Sequence, residues 1–299
     1  MNGRNAPRIS FIGFGEAGQA IASGLRESGL TRIAAWDILF PQNEGARLKK
    51  AGVKIGVEVA SSPAEAVRNA DIVFSAVTAA SSVEAARSVA AHLIAAPLYL
   101  DINSVSPGKK IETAALLGGQ ARYLDVAVVA AIHPARHRTP MLIAGPHAAE
   151  AASLLRELDM QTSVTGDKVG AAAAIKMIRS VMIKGLEALT LECFLAAERA
   201  GVLNEVTASL RNNYPGLDWP KVTGYNLERM ANHGERRAAE MEESAATLRE
   251  LGLDPLMVEA TVARQREMGA IGMDENVRKN LKADAGTLLK AVSAAKTRR

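Results

Sequence analysis

The chain has 299 residues, a net charge of +4, 48% hydrophobic residues and 4% aromatic residues. This composition excludes a disordered chain, because a large core can be buried, and the length suits one large domain or two ordinary ones. The basic residues are scattered without aromatic neighbours, which argues against nucleic-acid binding. No apolar run reaches the roughly 18 residues of a membrane span, so no membrane partner is expected.

The single cysteine, Cys193, lies within a helical pattern. It cannot form an intrachain disulfide, so a reduced, cytoplasmic setting is expected. We expect a packed thiol there, since nothing in the sequence activates it. The five histidines match no zinc-binding pattern, and no metal site is predicted.

Short apolar runs alternate with helical patterns through the first half of the chain. The predicted strands are RISFIGFG, RIAAWD, VKIG, DIVFSAV, PLYLDIN, YLDVAVV, TPMLIAG and QTSVTG. The predicted helices are EAGQAIASGLRESG, NEGARLKKAG, SPAEAVRNA and PHAAEAASLLREL. Strands that alternate with helices at about 30 residues per unit indicate a parallel α/β sheet.

The pattern changes after residue 166. A helical pattern of about 33 residues ends at Gly201. Only helices follow it, at 203–212, 218–231, 234–251 and 255–269. The sequence therefore predicts an α/β Rossmann-like domain over 1–166 and an all-α domain over 167–299.

The segment GFGEAG, residues 13–18, lies between the first predicted strand and its helix. In a dinucleotide-binding loop, the first glycine makes the turn, the second admits a pyrophosphate and the third lets helix and strand pack closely. The helix N-terminus adds unpaired N–H donors. We predict cofactor contacts at Gly13, Phe14, Gly15, Glu16, Ala17 and Gly18. The alternative is an ordinary glycine turn.

Asp37 ends the second predicted strand, where such folds carry an acid for the adenosine ribose. A carboxylate there repels a 2′-phosphate, and Ile38 and Leu39 supply no cation. The cofactor is therefore predicted to be NAD rather than NADP. The alternative is a solvated aspartate without a ligand.

Several segments together resemble the β-hydroxyacid dehydrogenase family, which includes 3-hydroxyisobutyrate and 6-phosphogluconate dehydrogenases. These segments are GFGEAGQAIASGL, DINSVSP, DVAVVAAIHPARHRTPMLIAGP, GAAAAIKMIRS and GYNLERMANHGERRA. The resemblance covers most of the chain. It implies an active site in the cleft between the two domains and a homodimer formed through the helical domain.

The resemblance also implies individual roles. It implies that Lys176 is the general acid/base beside the nicotinamide and that Ser180 is a polar residue near the substrate. It also implies that Val77, Thr78 and Asn103 contact the cofactor. Lys176, Ser180, Lys184 and Glu187 follow three- and four-residue steps, so they share one helix face. The alternative for Lys176 is a structural lysine whose ammonium reaches solvent.

The chain departs from the family pattern where the substrate binds. Val129, Ala130 and Ala131 replace a Ser-Gly-Gly sequence, Ser180 replaces an asparagine, and Asn232 and His233 replace a Lys-Asp pair. An altered substrate is therefore expected, and 3-hydroxyisobutyrate is not. Arg136 and His233 are the best candidates for holding an anionic small molecule. The alternative is that Arg136 and His233, with the basic residues near each of them in the sequence, lie on two solvated faces.

The sequence thus predicts an NAD(P)-dependent oxidoreductase that acts on a hydroxy acid or a related hydroxy compound. Two alternatives stay open. One is an imine reductase, although that branch generally lacks the helix lysine. The other is a dinucleotide-binding sensor without catalysis.

Overall fold

The computed structural model describes residues 6–298. The chain divides into two compact units, Met1–Lys176 and Met177–Arg299. The first unit is α/β and the second is all-α, which confirms the predicted fold class. The boundary predicted after residue 166 falls at the end of the last strand, whereas the chain divides after Lys176, within the long helix that follows that strand.

Eight strands of the first unit form one sheet in the order β3-β2-β1-β4-β5-β6-β7-β8. They are β1 (Ile9–Ile12), β2 (Ile33–Trp36), β3 (Glu58–Val59), β4 (Ile72–Ser75), β5 (Leu98–Asp101), β6 (Arg122–Val128), β7 (Met141–Ala144) and β8 (Thr162–Gly166). The sheet is mostly parallel, as predicted, but strands β6 and β7 are antiparallel. The connection over 129–140 contains only a 3-10 turn and no crossover helix, which a parallel pair would need.

Six helices accompany the sheet: α1 (Glu16–Glu27), α2 (Ala46–Ile55), α3 (Pro63–Val67), α4 (Ser82–Ala90), α5 (Pro107–Leu117) and α6 (Ala148–Glu157). Residues 53–56 were predicted as a strand, but 53–55 instead complete α2 and the left-handed Gly56 follows the helix end. Helices α4 and α5 were not predicted. Strands β1, β4 and β5 are buried along their whole length, as expected for central strands covered on both faces.

The second unit contains most of α7 (Ala171–Ala200), followed by α8 (Leu203–Asn213), α9 (Trp219–Glu250), α10 (Leu256–Ile271), α11 (Glu275–Asn280) and α12 (Ala285–Thr297). The predicted helices 218–231 and 234–251 are the two halves of α9, which is kinked at His233 (φ −135°). Helices α9 and α10 approach each other closely at Gly234. A Cβ on this residue would lie 2.3 Å from the carbonyl oxygen of Gln265. Helices α11 and α12 were not predicted.

Cys193 is exposed on α7, so the expectation of a packed thiol is wrong. The helix turns this position away from the apolar side that Leu191, Phe194 and Leu195 bury. Among residues 6–298, no helix is both long and apolar enough to cross a membrane.

Candidate active site

The glycine loop connects β1 to α1, and its three glycines differ in the space around them. Gly13 has φ +90°, and a Cβ there would lie 2.3 Å from the carbonyl oxygen of Ala76. A Cβ on Gly18 would lie 2.7 Å from the oxygen of Gly13, whereas one on Gly15 would meet nothing within 4 Å. Gly13 and Gly18 are therefore required for packing, while Gly15 leaves open space at the start of α1.

Asp37 follows β2 and is bonded to this loop. Its Oδ2 accepts a hydrogen bond from the Phe14 backbone N–H at 2.7 Å, and its Oδ1 accepts one from Leu39 N–H at 3.0 Å. The residue is only 8% exposed. The two backbone donors fix the orientation of the carboxylate beside the loop.

The ends of β4 and β5 lie at the same sheet edge as the glycine loop, because β1, β4 and β5 are parallel neighbours. Val77 and Thr78 follow β4. The Asn103 Oδ1 accepts from Val77 N–H at 2.7 Å, and its Nδ2 donates to Ser75 Oγ at 2.9 Å. Asn103 is buried and ties the two strand ends together.

Lys176 reaches this edge from α7. Its Nζ donates a hydrogen bond to the Ser104 Oγ at 2.6 Å, and Ser104 directly follows Asn103. Both side chains are half-buried. Ser104 was not among the predicted site residues, although it lies within the segment DINSVSP.

Residues that replace the family's Ser-Gly-Gly follow β6 at this edge, since β6 is parallel to β5. Val129 is half-buried, and its N–H donates to the carbonyl of Pro140 at 3.2 Å. Ala130 and Ala131 are exposed. These positions present backbone and methyl groups rather than a hydroxyl.

Arg136, predicted to hold an anionic substrate, is paired with a carboxylate of the same unit. Its guanidinium donates to both carboxylate oxygens of Glu27, each at 2.5 Å, at the C-terminal end of α1. The glycine loop is at the opposite end of this helix. Neighbouring His137 is buried against α1, within 3.2 Å of Ser28 Oγ. The loop over 136–138 therefore packs on α1, and its sequence alone could not distinguish this from a substrate loop.

In the second unit, Ser180 and Lys184 lie on one buried face of α7. The Lys184 Nζ donates to Ser180 Oγ at 3.3 Å and pairs with Glu240 of α9 at 2.8 Å. Burial lowers the pKa of Lys184, and the Glu240 carboxylate opposes that change.

Glu187 extends the same face and pairs with Arg237. The Arg237 Nε donates to Glu187 Oε2 at 3.0 Å, a second bond joins Nη2 to Oε1, and Gln265 Nε2 donates to the same carboxylate at 2.9 Å. Both charged side chains are 3% exposed. Arg237, one of the basic residues next to His233 in the sequence, is therefore neutralised inside the helical unit.

Asn232 and His233 lie at the kink of α9, and both are exposed. The Asn232 Nδ2 donates to Glu228 Oε1 at 2.7 Å. Partial burial, followed by the charges of Arg236 and Arg229, lowers the pKa of His233. Across residues 6–298, no cluster of three or more His, Cys, Asp or Glu side chains could hold a metal ion.

Comparison with family models gives two matches. Residues 8–104 match the model described as NADP oxidoreductase coenzyme F420-dependent. Residues 197–268 match a domain of unknown function, DUF1932.

Solved structures similar to this chain include a conserved hypothetical protein from Sinorhizobium meliloti, with 36% identity, 96% of each chain covered and a TM-score of 0.79. Another is a conserved protein of unknown function that shows structural similarity with 3-hydroxyacid dehydrogenases. It is 28% identical to this chain, covers 88% of it and 97% of its own length, and has a TM-score of 0.71. Together, these matches fit a divergent branch of the β-hydroxyacid dehydrogenase-like proteins. The predicted resemblance is thereby confirmed.

Two more distant solved structures share the fold with this chain. The 3-hydroxyisobutyrate dehydrogenase of Mycobacterium tuberculosis, solved with L-serine, has 18% identity and a TM-score of 0.71, with 98% of this chain and 99% of its own covered. An imine reductase from Aspergillus terreus has 18% identity and a TM-score of 0.58, with 90% and 97% covered.

Proposed function

We propose that the protein is an NAD(P)-dependent oxidoreductase that interconverts a hydroxyl group and a carbonyl group, with Lys176 as general acid/base. The observation that carries this proposal is the hydrogen bond from Lys176 Nζ to Ser104 Oγ. It brings a lysine to the sheet edge at which the glycine loop and Asn103 lie. A lysine with a purely structural role would not need to lie at this edge.

The residues present fit a dinucleotide. Gly15 leaves open space at the start of α1, and no side chain caps that helix start in the described structure. Its first N–H groups can therefore donate to a pyrophosphate. The bound nicotinamide supplies a hydride acceptor or donor.

The chemistry of the chain's own residues follows from this arrangement. In oxidation, the Lys176 amine would take the proton of the substrate hydroxyl as that group becomes a carbonyl. In reduction, the ammonium returns that proton to the carbonyl oxygen. Ser104 holds Nζ at the strand end, and Ser180, one helical turn after Lys176, is proposed as a polar contact to the substrate.

NAD is the preferred cofactor in this proposal. The Asp37 carboxylate is fixed beside the glycine loop, and exposed Ile38 and Leu39 follow it. A 2′-phosphate would meet a negative charge there instead of a cation. The matching family model carries NADP in its description, so the preference needs a direct test.

The substrate is proposed to be a hydroxy acid or a related hydroxy compound other than 3-hydroxyisobutyrate. Val129, Ala130 and Ala131 supply no hydroxyl for a carboxylate, which supports a changed binding mode. Asn232 and His233 are exposed and remain proposed contacts to the substrate. Arg136 does not, because Glu27 already binds its guanidinium.

The test is turnover by the wild type and by Lys176→Ala, measured on a panel of hydroxy acids, carbonyl compounds and cyclic imines with both cofactors. The proposal predicts activity on a hydroxyl–carbonyl pair that Lys176→Ala loses while NADH binding is retained. Activity on imines that survives Lys176→Ala would instead support an imine reductase. Cofactor binding without turnover across the panel would favour a sensor.

We also propose a homodimer in which α7 contacts a second copy of the chain. Four large apolar residues at three- and four-residue spacing are exposed along this helix: Ile178, Met182, Leu186 and Leu189. A continuous apolar stripe of this kind is typical of an interaction surface. Met182→Glu combined with Leu189→Glu is expected to give a monomer by analytical ultracentrifugation, whereas Ile94→Glu, at another exposed apolar site, is not. A monomeric wild type would contradict this proposal.

A further inference from the structure

Three charged side chains that the proposed chemistry does not use are fully buried inside the first unit. Lys110 of α5 lies between Asp101 of β5 and Asp125 of β6, and all three residues are 0% exposed. The Lys110 Nζ is 3.1 Å from Asp101 Oδ1 and 3.6 Å from Asp125 Oδ1. It also donates to the carbonyl oxygen of Asp101 at 2.5 Å. Tyr123 O–H donates to the other Asp101 oxygen at 2.8 Å.

The second carboxylate oxygen of Asp125 is bonded to the start of α7. Asp125 Oδ2 accepts hydrogen bonds from the backbone N–H groups of Gly170 and Ala173, each at 3.1 Å. The first N–H groups of a helix have no partner within the helix, so a carboxylate that accepts two of them fixes where the helix begins. Asp125 also places its negative charge at the positive end of the helix dipole.

Lys176 is in the second turn of the helix that Asp125 fixes. Its ammonium donates to Ser104, in the segment between Asp101 and Lys110. Both ends of Lys176 are thus held by one part of the fold. Asp125 holds its backbone through the start of α7, and the β5–α5 connection holds its Nζ.

We propose that Asp125 is a positioning residue for Lys176, and that Lys110 keeps the Asp125 carboxylate in the orientation that fixes α7. The turnover measurement in the test of this inference rests on the proposed function, whereas the labelling and exchange measurements do not. A buried ion cluster is a weak source of stability, because taking the charges out of water offsets most of their attraction. The role of the cluster is instead geometric, since the Asp125 carboxylate connects β6 to α5 and to the start of α7.

The experiment compares Asp125→Asn and Lys110→Met with a matched control, Lys109→Met, which removes one charge from the same helix. The double variant Lys110→Met/Asp125→Asn, which removes one charge of each sign, replaces either single variant that does not fold. Each protein is labelled with acetic anhydride, and modification of Lys176 is quantified by peptide mass spectrometry. Exposed Lys50 serves as the internal reference. Hydrogen exchange at Gly170 and Ala173 is followed in the same samples.

In Asp125→Asn and Lys110→Met, labelling of Lys176 relative to Lys50 is expected to rise about threefold or more, because the ammonium is no longer held at Ser104. Exchange at Gly170 and Ala173 is expected to rise as well, and Lys109→Met should match the wild type. On a substrate found by screening, kcat is expected to fall about 100-fold because the base is misplaced, with NADH affinity unchanged.

Wild-type labelling and exchange in folded Asp125→Asn would overturn the positioning role. So would an equal loss of NADH affinity and kcat, since that pattern indicates general damage to the fold. Failure of the proposed function gives a different result. In that case Lys176→Ala keeps full turnover, while Asp125→Asn still changes the labelling of Lys176.

Discussion

The Asp37 carboxylate and the Phe14 backbone N–H are joined by a buried hydrogen bond of 2.7 Å between residues 23 positions apart. The bond connects the end of β2 to the glycine loop. Asp37 therefore has two consequences for the proposed cofactor site. It holds the loop in shape, and it places a negative charge where a 2′-phosphate would have to bind.

Asp37→Ala is expected to weaken NADH binding about tenfold, equal to 1.4 kcal/mol, through loss of one charged hydrogen bond and of loop order. NADPH binding is expected to weaken less, because the repelling charge is removed at the same time. Both affinities are measured by titration while protein fluorescence is followed. Glu44→Ala removes an exposed carboxylate nearby and should leave both affinities unchanged. A larger loss for NADPH than for NADH would contradict the argument.

Gly13 and Gly15 are expected to respond differently to alanine. Gly13→Ala puts a Cβ at φ +90° and 2.3 Å from a carbonyl oxygen, so it should lower the free energy of unfolding by roughly 1–3 kcal/mol or more. Gly15 has φ −72° and open space around its Cβ position. Gly15→Ala should therefore keep the wild-type Tm but lower NADH affinity about tenfold or more, because the methyl group occupies the phosphate space. Tm and NADH titrations check both variants, and unchanged affinity in Gly15→Ala would show that no phosphate binds there.

Glu187→Leu is expected to destabilise the protein by about 3–5 kcal/mol, because it leaves the Arg237 guanidinium buried without a counter-ion. The matched control is Glu259→Leu, which breaks an exposed pair with Arg249 and should cost less than about 1 kcal/mol. Urea unfolding at neutral pH measures both variants. Equal effects of the two substitutions would mean that the Glu187–Arg237 pair is solvated, and Arg237 would become a candidate substrate contact again.

His137 is expected to make stability depend on pH. Burial is the main cause that lowers its pKa in the folded state, and the charge of Arg138 lowers it further. The unfolded state, with a pKa near 6.5, then binds more protons below that pH. The stabilisation is therefore present above about pH 6.5 and decreases as the pH falls below that value. Denaturant unfolding above and below about pH 6.5 should show a smaller decrease in His137→Asn, whereas exposed His92→Asn should match the wild type. An unchanged pH dependence in His137→Asn would contradict this assignment.

The sequence predicted the parts of the fold that depend on local pattern. Gly13, Gly15 and Gly18 lie between a strand and a helix as the motif requires, and the break between the halves of α9 occurs at His233, between the two predicted helices. The antiparallel pairing of β6 and β7 escaped prediction, because strand direction depends on how residues 129–140 return rather than on the composition of either strand.

Side-chain partners escaped prediction for a related reason. Arg136 pairs with Glu27, which is 109 residues away, and Lys176 donates to Ser104, which is 72 residues away. No periodicity connects residues at such separations. Local sequence therefore does not distinguish a basic residue that contacts a substrate from one that pairs with a surface carboxylate.

The central claim is that this chain binds a nicotinamide dinucleotide at the loop of residues 13–18. The most direct test is a titration of the wild-type protein with NADH and NADPH, followed by quenching of the fluorescence of Trp36, next to Asp37. Saturable binding of both cofactors is expected, tighter for NADH, with weakened binding in Gly15→Ala. A folded wild-type protein that binds neither cofactor would contradict the claim, and Lys176 would then be a structural lysine.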